Sequence, residues 1–315
     1  MSKPLFSEAH FQNPEAARTF VEAQRWPNGP VCGHCGSDKF YGTSKEGRYR
    51  CAAKDCRKDF TVTTGMVMES SHIKLNLWLQ AFHLAASSKK GFSAHQLHRS
   101  LGVTYKTAWF MHHRVMEAMR EGGLDLPPMG GEGKIVEVDE TYYGPTREHR
   151  MGAHRKGAPY IKKGKTGPGG KRAIVSLVER GGKVRSFHVP VADKKTVSRI
   201  VTENISRESR LHTDESRLYF GAQQFFASHE TVNHSKKEYA RGDVHVNSAE
   251  GFFGVFKRGM RGVYQHCDEK HLHRYLAEFD FRYNRRAALG WTDDMRTVDA
   301  VKGAVGKRLT YKKPH

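Results

Sequence analysis

Three acidic residues of this chain, Asp139, Asp214 and Glu250, carry a spacing that suits the sharing of a pair of metal ions. Asp139 ends the run Ile135-Val136-Glu137-Val138-Asp139, Asp214 ends Leu211-His212-Thr213-Asp214, and Glu250 opens a helical run near Ser248 to Arg258. Strand ends and a helix start can converge, and three carboxylates so gathered can hold two divalent ions about 4 Å apart, one for the attacking oxygen and one for the departing one. Hard oxygen ligands suit Mg²⁺ or Mn²⁺ and not zinc. Any one of these acids alone reads as a solvated charge or ion-pair partner; the joint pattern carries the expectation. Strand alternation puts Glu137 on the face of Asp139 and Glu140 on the other, so Glu137 is the near competitor. Lys257 follows Glu250 by two helical turns and shares its face, where an ammonium can take a substrate phosphate, with Arg258 beside it. Asn247, three residues before Glu250, reaches the same place and is the alternative third ligand.

A second, softer ligand set sits near the start. Cys32-Gly33-His34-Cys35 and Cys51 to Cys56 form two knuckles, the second wider because Ala52 to Asp55 intervene. Four thiolates in two short knuckles suit a closed tetrahedral zinc site with a structural role, on which a small β-ribbon depends to fold. His34 is the lesser alternative ligand. Tyr49 and Phe60 can pack beneath the knuckles, and Lys39, Lys45, Arg48, Arg50, Lys54, Arg57 and Lys58 surround them as phosphate contacts. Cys267 stands alone as a buried or incidental thiol.

The elements that must position these groups follow from hydrophobic period. Strands are expected at Ile135 to Asp139, Arg172 to Val178 and Val184 to Val189, with a hairpin at Gly181-Gly182. A helix from about Lys195 to Ile205, the Asp214 strand, a helix near Leu218 to Ala227, a strand near Glu230 to Val232 and the Glu250 helix complete the order. A three-strand meander followed by alternating helices and strands describes an α/β fold, a mixed sheet flanked by helices, in the order of a ribonuclease H-like domain. Between the first two strands, Pro145 to Lys171 is rich in Gly, Lys and Arg and reads as a mobile basic loop.

Before the sheet, Ser93 to Leu101, a turn at Gly102-Val103-Thr104 and a helix from Tyr105 to Arg120 make a helix-turn-helix. Its second helix offers Lys106, Thr107, His113 and Arg114 to a major groove, while Trp109 and Phe110 read as core. The same pattern also serves as a plain helical core. The expected division is a zinc ribbon at residues 1–67, a helix-turn-helix at 68–121, a linker at 122–133, the catalytic domain at 134–290 and a basic tail at 291–315. The chain of 315 residues carries a formal charge of +20, which points to a polyanionic partner, double-stranded DNA first. No run approaches the roughly 18 apolar residues of a membrane span, and no apolar signal core opens the chain, so a soluble cytoplasmic protein is expected.

Taken together, the zinc ribbon Cys32 to Cys56, Val138-Asp139-Glu140-Thr141-Tyr142, Thr213-Asp214, His245 to Phe253 with Phe256 to Gly259, and the basic-aromatic run Tyr275 to Arg286 resemble the bacterial transposases of the insertion sequence 1595 family. The resemblance covers nearly the whole chain. It implies an Asp-Asp-Glu-type enzyme with a ribonuclease H-like catalytic domain and two Mg²⁺ ions per site. Water would attack the element's ends, and the freed 3′ hydroxyl would attack target DNA with no covalent protein–DNA intermediate. It further implies recognition of terminal inverted repeats by the ribbon and the helix-turn-helix, and at least a dimer on paired ends. In that family the third acidic position is sometimes asparagine, which keeps Asn247 beside Glu250.

Overall fold

The computed structural model describes residues 6–121, 126–145 and 170–310, and the chain divides into two compact units, Met1–Glu121 with Arg285–His315 and Gly122–Asn284. The basic stretch expected to form a loop between the first two strands lies almost wholly outside the described residues.

The first unit opens with α1 (Ala9–Gln12) and α2 (Pro14–Arg25). Asn13 caps α2 by accepting from the Glu15 and Ala16 amides at 2.7 and 3.3 Å, and Pro14 occupies the first helical position, where no amide is needed. A three-stranded antiparallel ribbon follows in the order β1 (Phe40–Gly42), β2 (Arg48–Cys51) and β3 (Asp59–Thr61). So small a sheet buries little. An aromatic cluster supplies its core, with Phe60 lying 5.9 Å from Trp26 and 5.6 Å from Tyr49 between ring centroids. Three helices come next, α3 (Leu75–Ser87), α4 (Ala94–Leu101) and α5 (Tyr105–Met119).

In the second unit β4 (Ile135–Pro145), β5 (Lys171–Glu179) and β6 (Val184–Val189) form an antiparallel meander, and β7 (Arg210–Asp214) and β8 (Ser228–Val232) add to it in parallel. The sheet order is β6-β5-β4-β7-β8. Val136 and Val138 face α6 (Lys194–Asn204), which is capped by Asp193 and packs Val197, Ile200 and Val201 onto them. The opposite face carries α7 (Asn247–Gly259) and α8 (Leu272–Asn284). Asn284 fastens α8 to the sheet by accepting the Val184 amide at 2.6 Å and donating to its carbonyl at 3.0 Å. Covered on both faces, β5 is buried continuously from Arg172 to Val178, which is why it reads as an apolar run and not as an alternation.

Two expectations change. The helix expected near Leu218 to Ala227 is instead two 3₁₀ turns, Arg217–Tyr219 and Ala222–Gln224, broken at Gly221 with φ +94°. The stretch expected to be a basic tail contains α9 (Asp293–Lys302), which packs on α3, with the Thr297 hydroxyl 2.9 Å from His83 Nδ1 and Val67 donating to the Ala304 carbonyl at 3.1 Å. Thr297, Ala300 and Val301 form a buried stripe on α9, short enough to be hidden in sequence by the charges around it.

Candidate metal-ion active site

The cysteine quartet is assembled by local turns. Gly33 sits so close to Thr64 that a Cβ there would lie 2.4 Å from the Thr64 carbonyl oxygen, and Arg57 adopts φ +49° to close the second knuckle. The four sulfurs lie within 4.8 Å of one another, with Cys32 to Cys56 at 3.8 Å and Cys35 to Cys51 at 3.6 Å. Zinc–sulfur bonds of about 2.3 Å at tetrahedral angles require sulfurs roughly 3.8 Å apart, so the donor set fits a structural zinc. His34 is not among the ligands: its Nε2 lies 3.2 Å from the Asp59 carbonyl oxygen.

The carboxylates are assembled at long range. β4 and β7 pair in parallel as Ile135 with Arg210, Val136 with Leu211 and Glu137 with His212, and there the ladder ends. β7 runs on by two residues and ends at Asp214, whereas β4, expected to end at Asp139, continues through it to Pro145, paired with β5. Carried on by two residues, the shared register sets the two aspartates level where β4 and β7 no longer pair, Asp214 at the carboxyl end of β7 and Asp139 midway along β4. Burial, together with the charges of Glu140, Asp214 and Glu250, pushes the Asp139 carboxyl up to about 8. Asp214 is also raised, chiefly by burial, while the Ser216 amide donating at 3.0 Å and nearby His234 act against the rise. Among the described residues neither aspartate has a lysine or arginine within 4 Å, and no second set of His, Cys, Asp or Glu ligands gathers as tightly as the cysteines. Acids raised chiefly by burial, with no lysine or arginine in salt-bridge contact among the described residues, fit the binding of divalent ions.

Glu137, the competitor, has another role. It is fully buried and accepts from the Ser248 and Ala249 amides at 2.7 and 3.2 Å, from the Ser248 hydroxyl at 3.0 Å and from Arg180 Nε at 2.9 Å. Residue 246 before α7 is a valine and gives no side-chain cap, so a carboxylate from the sheet caps this helix and complements its dipole. Arg180 in turn donates to the Asp243 and His245 carbonyls. Glu137 is thereby spent on holding the helix that carries Asn247, Glu250 and Lys257.

Comparison with known proteins decides the family. Residues 130–284 match the ISXO2-like transposase domain and residues 12–59 match the transposase zinc-ribbon domain. A protein in transposable element ISH50 of Halobacterium salinarum is 31% identical over 285 residues, covering 86% of this chain and 91% of that protein. The chain belongs to the insertion sequence 1595 family of transposases.

Within this transposase the remaining expected residues fall in different settings. Lys257 is half-buried; burial lowers its pKa while the Asp139 charge raises it, so the ammonium stands near that carboxylate. Glu250 and Asn247 are both exposed on the first turn of α7, and Glu250 Oε1 lies 3.9 Å from His234 Nε2. Arg258 is exposed on the same helix. On α5, whose first turn Thr104 caps, Lys106 is exposed and Thr107 and Arg114 are half-buried. His113 corrects the expectation of a groove contact: it is 1% exposed and lies 4.2 Å from the Trp109 ring. The helical period put it beside Arg114 but could not say which side the rest of the protein covers.

Two groups escaped the sequence. Glu140 is held by Tyr219, whose hydroxyl donates to it at 2.6 Å, and it borders both aspartates despite facing the other side of the strand. His234 stands between Asp214 and Glu250 on a 3₁₀ turn that Glu215 pins by accepting the His234 and Ser235 amides at 2.9 and 3.0 Å. The pairing of Asp214 with a second acid, Glu215, was the available signal. No described helix is long and apolar enough to cross a membrane.

Proposed function

We propose that this transposase cuts and rejoins DNA at a two-ion centre held by Asp139, Asp214 and Glu250 on a ribonuclease H-like domain. The observation that carries the proposal is the level register of Asp139 and Asp214 just past the point where β4 and β7 stop pairing, with the Glu250 charge, on the capped helix α7, acting on Asp139. The sheet order β6-β5-β4-β7-β8, an antiparallel meander extended by two parallel strands, supports the fold assignment.

Mg²⁺ or Mn²⁺ bound there would supply charge for the attacking and departing oxygens. Asp139 and Asp214 hold the ions as carboxylates, so the proton that Asp139 keeps up to about pH 8 must leave first and ion affinity rises with pH. Glu250 closes the set from the helix, and Lys257 neutralises the phosphate placed against Asp139. Glu137 does no chemistry and fixes the angle at which α7 presents these groups. The zinc ribbon, with α4 and α5 joined through Gly102 at φ +65° as a helix-turn-helix, recognises the terminal inverted repeats of double-stranded DNA. Lys106, Thr107 and Arg114 are the DNA contacts on α5, and Arg258 on α7 is a separate one. Pairing of two ends makes the active assembly a dimer or larger, acting in the cytoplasm.

The test is Mg²⁺-dependent strand transfer of a labelled DNA ending in the inverted repeat. Loss of joining with Asp139→Ala, Asp214→Ala and Glu250→Ala, with end binding kept, supports the site. Loss with Asn247→Ala but not Glu250→Ala moves the third ligand to Asn247. End binding without cleavage by the unaltered protein refutes the enzyme and leaves a DNA-binding regulator.

A further inference from the structure

A pocket of about 400 Å³ lies where the end of β4, the start of β5 and the chain after α7 meet, lined by residues that include Tyr142, Lys171, Arg172, Arg261, Gln265 and His266. Three independent features mark it. The first is Arg172, a cation only 2% exposed, whose Nε and Nη1 donate to the Pro145 and Cys267 carbonyls at 2.9 and 2.8 Å. Among the described residues no carboxylate lies within 4 Å of it. Burying a charge without a counter-charge is costly, and an anion in the pocket would offset that cost. The second is the concentration of charge: Lys171 and Arg261 are exposed beside Arg172, and Arg261 follows Lys257 by one helical turn, so the basic lining continues the face that carries Glu250 and Lys257.

The third feature is the backbone. After α7 the chain makes a π-helical turn, Met260–Tyr264, and then Gln265 adopts φ +56°, ψ −52° while His266 donates to the Tyr264 carbonyl. This is a γ-turn of the rare, strained hand in a non-glycine residue, and strain of this kind collects at ligand clamps. The turn aims Gln265 and His266 into the pocket beside Arg261.

We propose that this pocket binds a backbone phosphate of the DNA strand that enters the carboxylate site, with Arg172 as its buried cation and Lys171 and Arg261 as its outer contacts. The inference rests on the reading of the protein as a DNA-joining enzyme. It assigns Lys171 and Arg261 to positioning the strand one or more nucleotides from the bond that is cut.

The test uses the full chain with Asp139→Ala, so that binding is read without cleavage, and compares it with the same chain carrying Lys171→Gln and Arg261→Gln. Affinity for a DNA end is measured from low to physiological salt, and single neutral methylphosphonates are scanned along each strand. Loss of this one phosphate contact should reduce the salt slope by about 0.9 and weaken binding roughly tenfold. A methylphosphonate at one or two positions beside the cleaved bond should weaken the parent protein and leave the double variant unaffected, and Arg261→Lys should restore most of the affinity. An unchanged slope and an unchanged scan in a variant that melts like the parent would overturn the pocket's role while leaving the proposed function intact. Failure of the parent to bind any DNA would bring down both.

Discussion

The cysteine quartet, which fits a structural zinc, and the carboxylate group proposed to hold divalent ions are built by the chain in opposite ways. The cysteines come from two knuckles in one small ribbon, and turns such as those at Gly33 and Arg57 bring four sulfurs within 4.8 Å. The carboxylates come from two strands and a helix far apart in sequence, and burial, with the neighbouring acids adding to it, drives Asp139 up to about 8. A structural site can be closed by local geometry because thiols tolerate one another. A catalytic site stays open and electrostatically unfavourable, so that cations and substrate relieve it. Zinc bound by the first set would stabilise its domain, whereas ionising the buried Asp139 of the second works against folding.

The sharpest way to break this contrast is to remove each metal in turn. Cys32→Ser, or a strong zinc chelator, should unfold the ribbon of residues 12–59, since structural zinc contributes on the order of 10 kcal/mol. Circular dichroism and limited proteolysis would show the ribbon lost, and calorimetry should find the melting of the second unit unmoved. A ribbon that survives without zinc would erase the distinction. Next in size, Asp139→Asn should lower strand cleavage by about a thousandfold or more, as loss of a transition-state charge partner does, and yet raise stability. Asp139 keeps its proton in the folded state up to about pH 8 but loses it near 3.9 when unfolded. Its burden is therefore absent below about pH 4 and grows as pH climbs towards 8, to on the order of 5 kcal/mol. Denaturant titrations of the variant should lack that slope, and Mg²⁺ should raise the melting temperature of the unaltered protein at pH 8 but not that of Asp139→Asn.

A smaller effect sharpens the comparison within the second unit. Glu137→Gln removes the charged cap of α7 and leaves Arg180 poorly matched, which should cost about 3 kcal/mol in chemical denaturation. It should also lower joining through displacement of Glu250, without changing which metal supports the reaction. The smallest effect belongs to Glu215, held down to about 2 by the Ser235 hydroxyl and the His234 and Ser235 amides. Its contribution is present above its unfolded value and fades as pH falls from about 4 to 2, within about 1 kcal/mol. Glu215→Gln should flatten that acid limb in a pH series of melting temperatures.

What could be read from sequence followed range. The quartet was legible because its ligands lie within one short stretch, and Asp139 and Asp214 were legible because period-two strands carry them. Glu137 was placed on the right face, but its cap on Ser248 and Ala249 spans more than a hundred positions that no local pattern encodes. The pairing of Glu140 with Tyr219 was hidden for the same reason, compounded by the two 3₁₀ turns that replace the expected helix around Gly221. His113 shows the limit of periodicity: it gives a residue's azimuth on a helix but not which azimuth is covered.

The return of residues 285–310 to the first unit has a consequence for the order of synthesis. A ribosome delivers α3 before the strands of the second unit and α9 only near the close of the chain. The ribbon can take its zinc early, and the second unit is complete at Asn284. The buried stripe of α3 must wait for α9 and for Ala304 to reach Val67. Until then its apolar face is open to chaperones and to aggregation. A message cut short before α9 would leave a complete second unit attached to a first unit whose α3 face lacks its cover.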